Sequence, residues 1–180
     1  MTTLRFNLPT ALTISRIVLI PFFVLSVYEH PVLGALIFSV ASITDFFDGY
    51  LARRSGQITT FGTIMDPLAD NFLVISALVV LVDMTRLSAL IAIILIVREF
   101  LVTALRVVAL SKDIVIPAET GGKLKTTAQI TSILCLILVG TFFDNLPLDL
   151  YDLGIVFIWI ALALSVTSGL QYTVSFWKKI

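Results

Sequence analysis

Six long apolar stretches occupy most of the chain, and they restrict its fold more than any other feature. They run approximately over residues 11–28, 32–52, 62–82, 87–110, 124–143 and 150–176. Each is close to the ~20 residues with which a helix crosses the hydrocarbon of a bilayer. Only 13% of the residues are charged and 58% are hydrophobic, whereas about a quarter are charged in soluble domains. The pattern predicts an all-α membrane protein, a single domain over residues 1–180 with six transmembrane helices and a short interfacial segment at 1–10.

The charged residues between these stretches predict the orientation of the protein in the membrane. Basic residues dominate on one side, namely Arg5, Arg53, Arg54, Lys112, Lys123, Lys125, Lys178 and Lys179. Only Arg86 falls on the other side, together with Glu29, Asp83, Asp144, Asp149 and Asp152. By the positive-inside rule, we expect a multi-pass protein of the inner (cytoplasmic) membrane with both termini in the cytoplasm. The formal net charge is zero, so bulk charge implies no nucleic-acid partner.

The second and third stretches carry four aspartates, which are unusual in so apolar a chain. Asp45 and Asp48 are three residues apart and would share one face of a helix. Gly62, Asp66 and Asp70 follow one another at steps of four and form a second face. The connection between the two stretches is short, which predicts antiparallel neighbouring helices. We therefore expect the four carboxylates around one small volume, near the cytoplasmic ends of both helices.

Four ionised carboxylates are costly in an apolar medium, since one charged side chain at the bilayer centre costs at least ~2.5–3.5 kcal/mol. They must be protonated or bind cations, and all-oxygen ligands suit hard divalent ions such as Mg²⁺, Mn²⁺ or Ca²⁺. Two other interpretations stay open: solvated helix ends, or the site of a cation transporter. A transporter would more often hold its acids near the midplane, between broken or repeated helices.

The same stretch resembles the signature of the CDP-alcohol phosphotransferase family, D-x2-D-G-x2-A-R-x8-G-x3-D-x3-D. All eight fixed positions are present, as Asp45, Asp48, Gly49, Ala52, Arg53, Gly62, Asp66 and Asp70. The resemblance implies two divalent cations, Mg²⁺ first and Mn²⁺ as the alternative, held by the four aspartates. It implies nucleotide binding by Asp48, Gly49, Ala52, Arg53, Gly62 and Asp66. Asp70 is expected to act also as the general base on the attacking hydroxyl.

The fourth and fifth stretches carry cations that the signature does not include. Arg98 and Arg106 are two helical turns apart and are expected on one face. Lys123 and Lys125 follow a Gly-Gly pair at a helix start, where free N–H groups and cations favour an anion. We interpret the four as a site for the phosphate of the acceptor substrate. Alternatively, Arg98 pairs with Glu99 or a signature aspartate, and the lysines meet lipid headgroups.

These segments also resemble one subgroup of the family, in which the acceptor is sn-glycerol 3-phosphate. The resemblance rests on Arg-Glu-Phe-x-Val-Thr-x-Leu-Arg (98–106), Gly-Lys-x-Lys-Thr (122–126), the opening Leu-Pro-x-x-Leu-Thr-x-x-Arg (8–16) and Ser168-Gly169. It implies transfer of a phosphatidyl group from CDP-diacylglycerol to glycerol phosphate with release of CMP, in contact with membrane lipids and often as a homodimer. A cardiolipin synthase, an inositol-phosphate transferase and a serine transferase remain alternatives. Two positions depart from the usual pattern: Thr10 replaces Asn, and Asn71 replaces the Lys that commonly follows the last aspartate.

Overall fold

The structure is a computed structural model that describes the backbone of residues 8–55, 60–111, 121–141 and 149–177. It describes the side chains of residues 15, 17–44, 71–109, 124–141 and 149–177. This part of the chain forms six α-helices and no strand, which confirms the all-α class. The helices are α1 (Leu8–Glu29), α2 (Pro31–Ser55), α3 (Thr60–Asp83), α4 (Ala89–Ser111), α5 (Gly121–Leu138) and α6 (Leu150–Trp177).

Two helix ends differ from the ends of the predicted apolar stretches. Helix α5 ends at Leu138, five residues before the predicted end, because Gly140 takes the left-handed conformation with φ of 77° that commonly terminates helices. The backbone N–H and the hydroxyl of Thr141 then bond to the Leu138 carbonyl. Helix α1 begins at Leu8, so the end of the predicted interfacial segment is helical. Pro9 in the first turn favours this start, because its fixed φ suits a helix and its missing N–H is not needed there. Residues 1–7 lie outside the described part.

Only one helix of the described residues is both long enough and apolar enough to cross a bilayer by itself. This is α6, with 28 residues. Four further helical stretches are apolar but shorter: Ile17–Glu29, Pro31–Thr44, Asn71–Asp83 and Leu124–Leu138. The apolar sequence of helix α4 is interrupted by three charged residues, Arg98, Glu99 and Arg106. Six helices are therefore confirmed near the predicted positions, whereas six membrane crossings remain a prediction.

The exposed faces of the helices are apolar, as expected for a protein surrounded by lipid. On α4, large side chains are exposed at Leu90, Ile93, Val97 and Leu101, on the face opposite the fully buried Leu95. Leu25, Leu170 and Trp177 are more than half exposed on α1 and α6. A water-soluble monomer rarely presents apolar surface this extensively. This arrangement favours a hydrocarbon environment around the helices.

The chain divides into two compact units, residues Met1–Ser76 and Ala77–Ile180. In the first unit, α1 and α2 are joined through His30 and pack against each other. The Phe23 and Phe38 rings lie with their centroids 5.7 Å apart, and both side chains are fully buried. A Cβ added to Gly34 would lie 2.8 Å from the Cα of Val27. The glycine therefore allows the two helices to approach at backbone contact distance.

Replacing Gly34 with Ala should destabilise the protein, because the new methyl group meets the backbone of α1 rather than a movable side chain. Overpacking of this kind costs about 1–3 kcal/mol. We expect a lower midpoint of thermal unfolding in detergent. The matched control is Leu36→Ala at an exposed position of the same helix, which should change the midpoint little. Equal midpoints for Gly34→Ala and the unmodified protein would contradict close packing of α1 on α2.

The second unit contains the end of α3 and helices α4, α5 and α6. A tight connection follows α3: Arg86 N–H donates to the Leu81 carbonyl and Thr85 N–H to the Val82 carbonyl, as in a Schellman cap. The Arg86 side chain donates through Nη1 to the carbonyls of Leu136 and Ile137, at 2.9 and 2.8 Å. It thereby binds backbone acceptors left unpaired at the end of α5.

Helix α6 is the centre of this second unit. It packs most extensively against α5, and it also packs against α4. The core contains Ile133 and Ile137 of α5 with Ile158 and Ala161 of α6, all without exposed surface. Because α6 touches both neighbouring helices, its polar residues can contact charged side chains of α4.

Candidate active site

The four signature aspartates all lie in regular helix. Asp45 and Asp48 belong to α2, and Asp66 and Asp70 belong to α3. The i,i+3 and i,i+4 spacings therefore place each pair on one side of its own helix. The side chains of residues 45–70 lie outside the described part, so the shared volume for four carboxylates remains a prediction. The same holds for the predicted nucleotide-binding residues in this range, whose roles also remain predictions: Gly49, Ala52 and Arg53 on α2 and Gly62 on α3. Among the described side chains, no group of three acids, histidines or cysteines could hold a metal.

Arg98 on α4 is bound to α6 by two short hydrogen bonds. Its Nε donates to the Ser165 carbonyl at 2.7 Å, and its Nη2 donates to the Ser168 hydroxyl oxygen at 2.6 Å. Its Nη1 lies 3.4 Å from both oxygens of Glu99, a long contact that contributes little as a hydrogen bond. The guanidinium is therefore positioned chiefly by neutral groups of α6.

Glu99 forms its main ion pair with Lys125 of α5 and not with its neighbour Arg98. The Lys125 ammonium donates directly to Oε1 of Glu99. The two side chains are 8% and 12% exposed, so both charges are largely removed from solvent. A pair of this kind links α4 to α5 because separating it would leave a buried charge without compensation.

Arg106 is exposed on α4 and lies within electrostatic range of both Arg98 and Lys125. Together with Glu99, these residues form what we call the cationic cluster. Three cations and one carboxylate leave it with a net charge of +2. The backbone of Lys123 lies in the first turn of α5, and its side chain is outside the described part. The structure thus places Arg98 and Lys125 on either side of Glu99, and the binding of an acceptor phosphate by these cations remains a prediction.

A stripe of polar residues continues from Lys125 along α5. Gln129 and Ser132 follow at steps of four and three residues and are 3% and 0% exposed. Ser132 donates to the Gly154 carbonyl of α6 at 2.7 Å. Gln129 Nε2 has no hydrogen-bond partner among the described residues. The buried contact between α5 and α6 is therefore more polar near the cationic cluster than the apolar composition of the two helices suggests.

Sequence reasoning did not identify the roles of Glu99, Ser165 and Ser168. From the sequence, Glu99 is only an alternative partner of Arg98, whereas its closest partner in the structure is 26 residues away. Ser165 acts through its backbone carbonyl, which no side-chain pattern can indicate. Ser168 and Gly169 had a signal in the family resemblance, although the resemblance assigned them no contact.

The described residues form a helical protein with apolar exposed faces and excess positive charge on two adjoining helices. Residues 6–167 match the model of the CDP-alcohol phosphatidyltransferase family. Three bacterial relatives are each described as CDP-diacylglycerol–glycerol-3-phosphate 3-phosphatidyltransferase. The Bacillus subtilis protein is 37% identical, with 97% of both chains covered. The Rickettsia bellii protein is 38% identical, covering 92% of this chain and 93% of its own. The Shigella flexneri protein is 40% identical over 94% of both.

The chain therefore belongs to the CDP-alcohol phosphatidyltransferase family, and the resemblance of its signature and of its later segments is confirmed. The family consists of membrane enzymes that generally use divalent cations. The match extends over α1 to α5 and most of α6, so both the aspartates and the cationic cluster lie within the family region.

Proposed function

We propose that the protein transfers a phosphatidyl group from CDP-diacylglycerol to sn-glycerol 3-phosphate, giving phosphatidylglycerophosphate and CMP. It would thus be a phosphatidylglycerophosphate synthase of phospholipid biosynthesis. The observation that carries the proposal is the near full-length similarity to relatives described by this activity. The net charge of +2 on the cationic cluster supports a phosphorylated acceptor, because a phosphate monoester carries close to −2 at neutral pH.

The acceptor's phosphate would bind to Arg98, Arg106, Lys123 and Lys125. Arg98 can present a planar pair of N–H donors, which matches two phosphate oxygens. Glu99 neutralises part of the positive charge of the cluster and would hold Lys125 in place when no acceptor is bound. An uncharged or zwitterionic acceptor such as serine would not compensate this excess of positive charge. The cluster therefore favours glycerol phosphate over serine.

The donor would bind at the signature on α2 and α3. The four aspartates suit two Mg²⁺ ions, with Mn²⁺ as the alternative, because carboxylate oxygens are the ligands these ions prefer. Their i,i+3 and i,i+4 spacings fall in regular helix, which fits pairwise ligation. When bound, the cations would neutralise the diphosphate and stabilise its developing charge. Asp48, Gly49, Ala52, Arg53, Gly62 and Asp66 would hold the nucleotide, with the small residues allowing close backbone approach.

The reaction is a displacement at phosphorus. A hydroxyl group of glycerol phosphate attacks the phosphorus attached to diacylglycerol, a new P–O bond forms, and the P–O bond to the leaving CMP breaks. Asp70 would accept the proton of the attacking hydroxyl. Arg98 and Lys125 would orient the acceptor, since positioning and electrostatics supply most of the catalysis in phosphoryl transfer. Arg53 would contact the phosphates of the nucleotide.

The protein would lie in the inner membrane with six crossings, both termini and the aspartates toward the cytoplasm. The distribution of Lys and Arg in the connecting segments supports this orientation. CMP could then leave directly into the cytosol, and CDP-diacylglycerol could enter from the inner leaflet. A homodimer is part of the proposal by analogy with family members.

The direct test is transfer of label by the purified protein in detergent. We expect labelled lipid from CDP-diacylglycerol, Mg²⁺ and glycerol 3-phosphate, and at most trace product with phosphatidylglycerol, inositol phosphate or serine. EDTA should abolish the reaction, and added Mg²⁺ should restore it.

Efficient product from another acceptor would overturn the acceptor assignment while leaving the family assignment intact. Full turnover in EDTA would overturn the role of the aspartates as metal ligands. No product with any acceptor, from protein that unfolds cooperatively, would overturn the proposed activity altogether.

A further inference from the structure

One short segment of α6 binds one side of the Arg98 side chain. The Ser165 carbonyl accepts from Nε, and the Ser168 hydroxyl oxygen accepts from Nη2. The Ser168 hydroxyl in turn donates to the Ser165 carbonyl at 3.3 Å. Both serines are buried, with 0% and 8% exposure. We call the segment formed by Ser165, Ser168 and Gly169 the arginine cradle.

Gly169 completes this cradle by the absence of a side chain. A Cβ at this position would lie 3.2 Å from Nε and 3.3 Å from Cγ of Arg98. These distances are shorter than ordinary van der Waals contact. The stem of Arg98 can therefore lie directly on the backbone of α6, which brings its Nε within 2.7 Å of the Ser165 carbonyl.

The two hydrogen bonds occupy only one edge of the guanidinium. Nε and the adjacent N–H of Nη2 point at α6, and the terminal edge formed by Nη1 and the second N–H of Nη2 is not used by the cradle. Among the described residues, the hydrogen-bond and ion-pair partner of Nη1 is Glu99, at 3.4 Å. A terminal guanidinium edge is the arrangement that binds two oxygens of one phosphate.

The cradle also preserves the charge that an anion requires. A carbonyl and a hydroxyl fix the orientation of Arg98 by hydrogen bonds without neutralising it, whereas a carboxylate on α6 would compete with a phosphate. Glu99 is bound mainly by Lys125 and forms a longer ion pair with Arg98, at 3.4 Å. Arg98 is thus oriented by α6 without a carboxylate of that helix opposing an anion.

We propose that the arginine cradle of α6 is a positioning device for acceptor recognition: it turns the terminal edge of Arg98 toward the phosphate of the acceptor. This inference rests on the proposed function, in which Arg98 binds that phosphate. Ser168 and Gly169 are positioning residues, since they act through Arg98. The ligand class is a phosphate monoester, with sn-glycerol 3-phosphate as the probe.

The test compares KM and kcat of Ser168→Ala. We expect the KM for glycerol 3-phosphate to rise by roughly tenfold or more, as for loss of one hydrogen bond to a charged group. The kcat and the KM for CDP-diacylglycerol should stay within about twofold, because neither the attacking hydroxyl nor the donor is touched. Gly169→Ala should raise the same KM by moving Arg98 off the backbone of α6. Ser168→Thr, which keeps the hydroxyl, should restore a KM near that of the unmodified protein.

The matched control is Ser132→Ala. Ser132 is a buried serine whose hydroxyl links α5 to α6 through the Gly154 carbonyl, and it has no role in the cationic cluster. A purely structural effect of losing a buried hydroxyl would appear in this variant too. We expect its KM for glycerol 3-phosphate to be unchanged, even if its unfolding midpoint falls as far as that of Ser168→Ala.

Arg98→Lys separates failure of this inference from failure of the proposed function. If Arg98→Lys leaves the acceptor KM unchanged, Arg98 does not bind the phosphate and the proposed role of the cluster is wrong. If Arg98→Lys raises that KM while folded Ser168→Ala and Gly169→Ala both leave it unchanged, the cradle is overturned alone. If Ser168→Ala does not fold, Gly169→Ala decides the question. The cradle would also be overturned if Ser168→Ala lowered kcat and changed the KM for both substrates alike, because the effect would then not be specific to the acceptor.

Discussion

Replacing Asp70 with Asn should lower kcat by about 10³-fold or more, the upper part of the range for loss of a general base. The amide keeps the size of the side chain and its place in α3, but it cannot accept a proton from the attacking hydroxyl. It is also a weaker ligand for a divalent cation than a carboxylate. CDP-diacylglycerol should still bind, because three aspartates and Arg53 remain.

Two measurements define this experiment: turnover with labelled glycerol 3-phosphate, and equilibrium binding of CDP-diacylglycerol without an acceptor. Asp83→Asn is the matched control, since it makes the same chemical change on the same helix, at its last residue. It should retain normal turnover. If Asp70→Asn turned over normally while still binding the donor, Asp70 would not be the base. If the variant lost donor binding as well, its main role would be in holding the metal and nucleotide.

The helices could be predicted from the sequence because a hydrocarbon environment allows few other backbone structures. A chain with six apolar stretches of about 20 residues must satisfy its backbone hydrogen bonds internally, and helices do so within each stretch. The exact ends of the helices were harder to predict from the sequence. Thr85 adopts φ of 58° although β-branched residues rarely do. Helix α5 ends at Leu138, just before Gly140, inside a run that composition alone extends to residue 143. These ends depend on capping geometry that hydropathy does not encode.

The candidate site was predictable in its residue types and not in its pairings. Charged residues in an apolar helix are conspicuous, so Arg98, Arg106 and Lys125 could be selected directly from the sequence. Their partners depend on how α4, α5 and α6 pack. Lys125 bonds to Glu99, 26 residues away, and Arg98 to a carbonyl 67 residues away. A backbone acceptor has no residue type, so only coordinates can reveal it.

Lys125→Met should have two separate effects, because Lys125 pairs with Glu99 in the fold and, in the proposed function, also binds the acceptor phosphate. Methionine fills the same space but leaves Glu99 largely buried, with only its longer ion pair to Arg98, at 3.4 Å, in place. Breaking one half of a buried ion pair costs about 3–5 kcal/mol of stability, so the midpoint of thermal unfolding should fall clearly. Loss of one cation from the phosphate site should raise the acceptor KM by roughly 10- to 100-fold.

The double variant Glu99→Gln, Lys125→Met separates these effects. It contains no unpaired carboxylate, so most of the lost stability should return, since replacing a buried pair by neutral groups is often close to neutral. The acceptor KM should nevertheless remain high, because the phosphate has still lost the ammonium group, and the KM for CDP-diacylglycerol should change little in either variant. Recovery of both stability and acceptor KM in the double variant would show that Lys125 only compensates Glu99. A high KM in a protein with restored stability would place the ammonium group of Lys125 on the acceptor phosphate, because no structural defect would then be left to explain it.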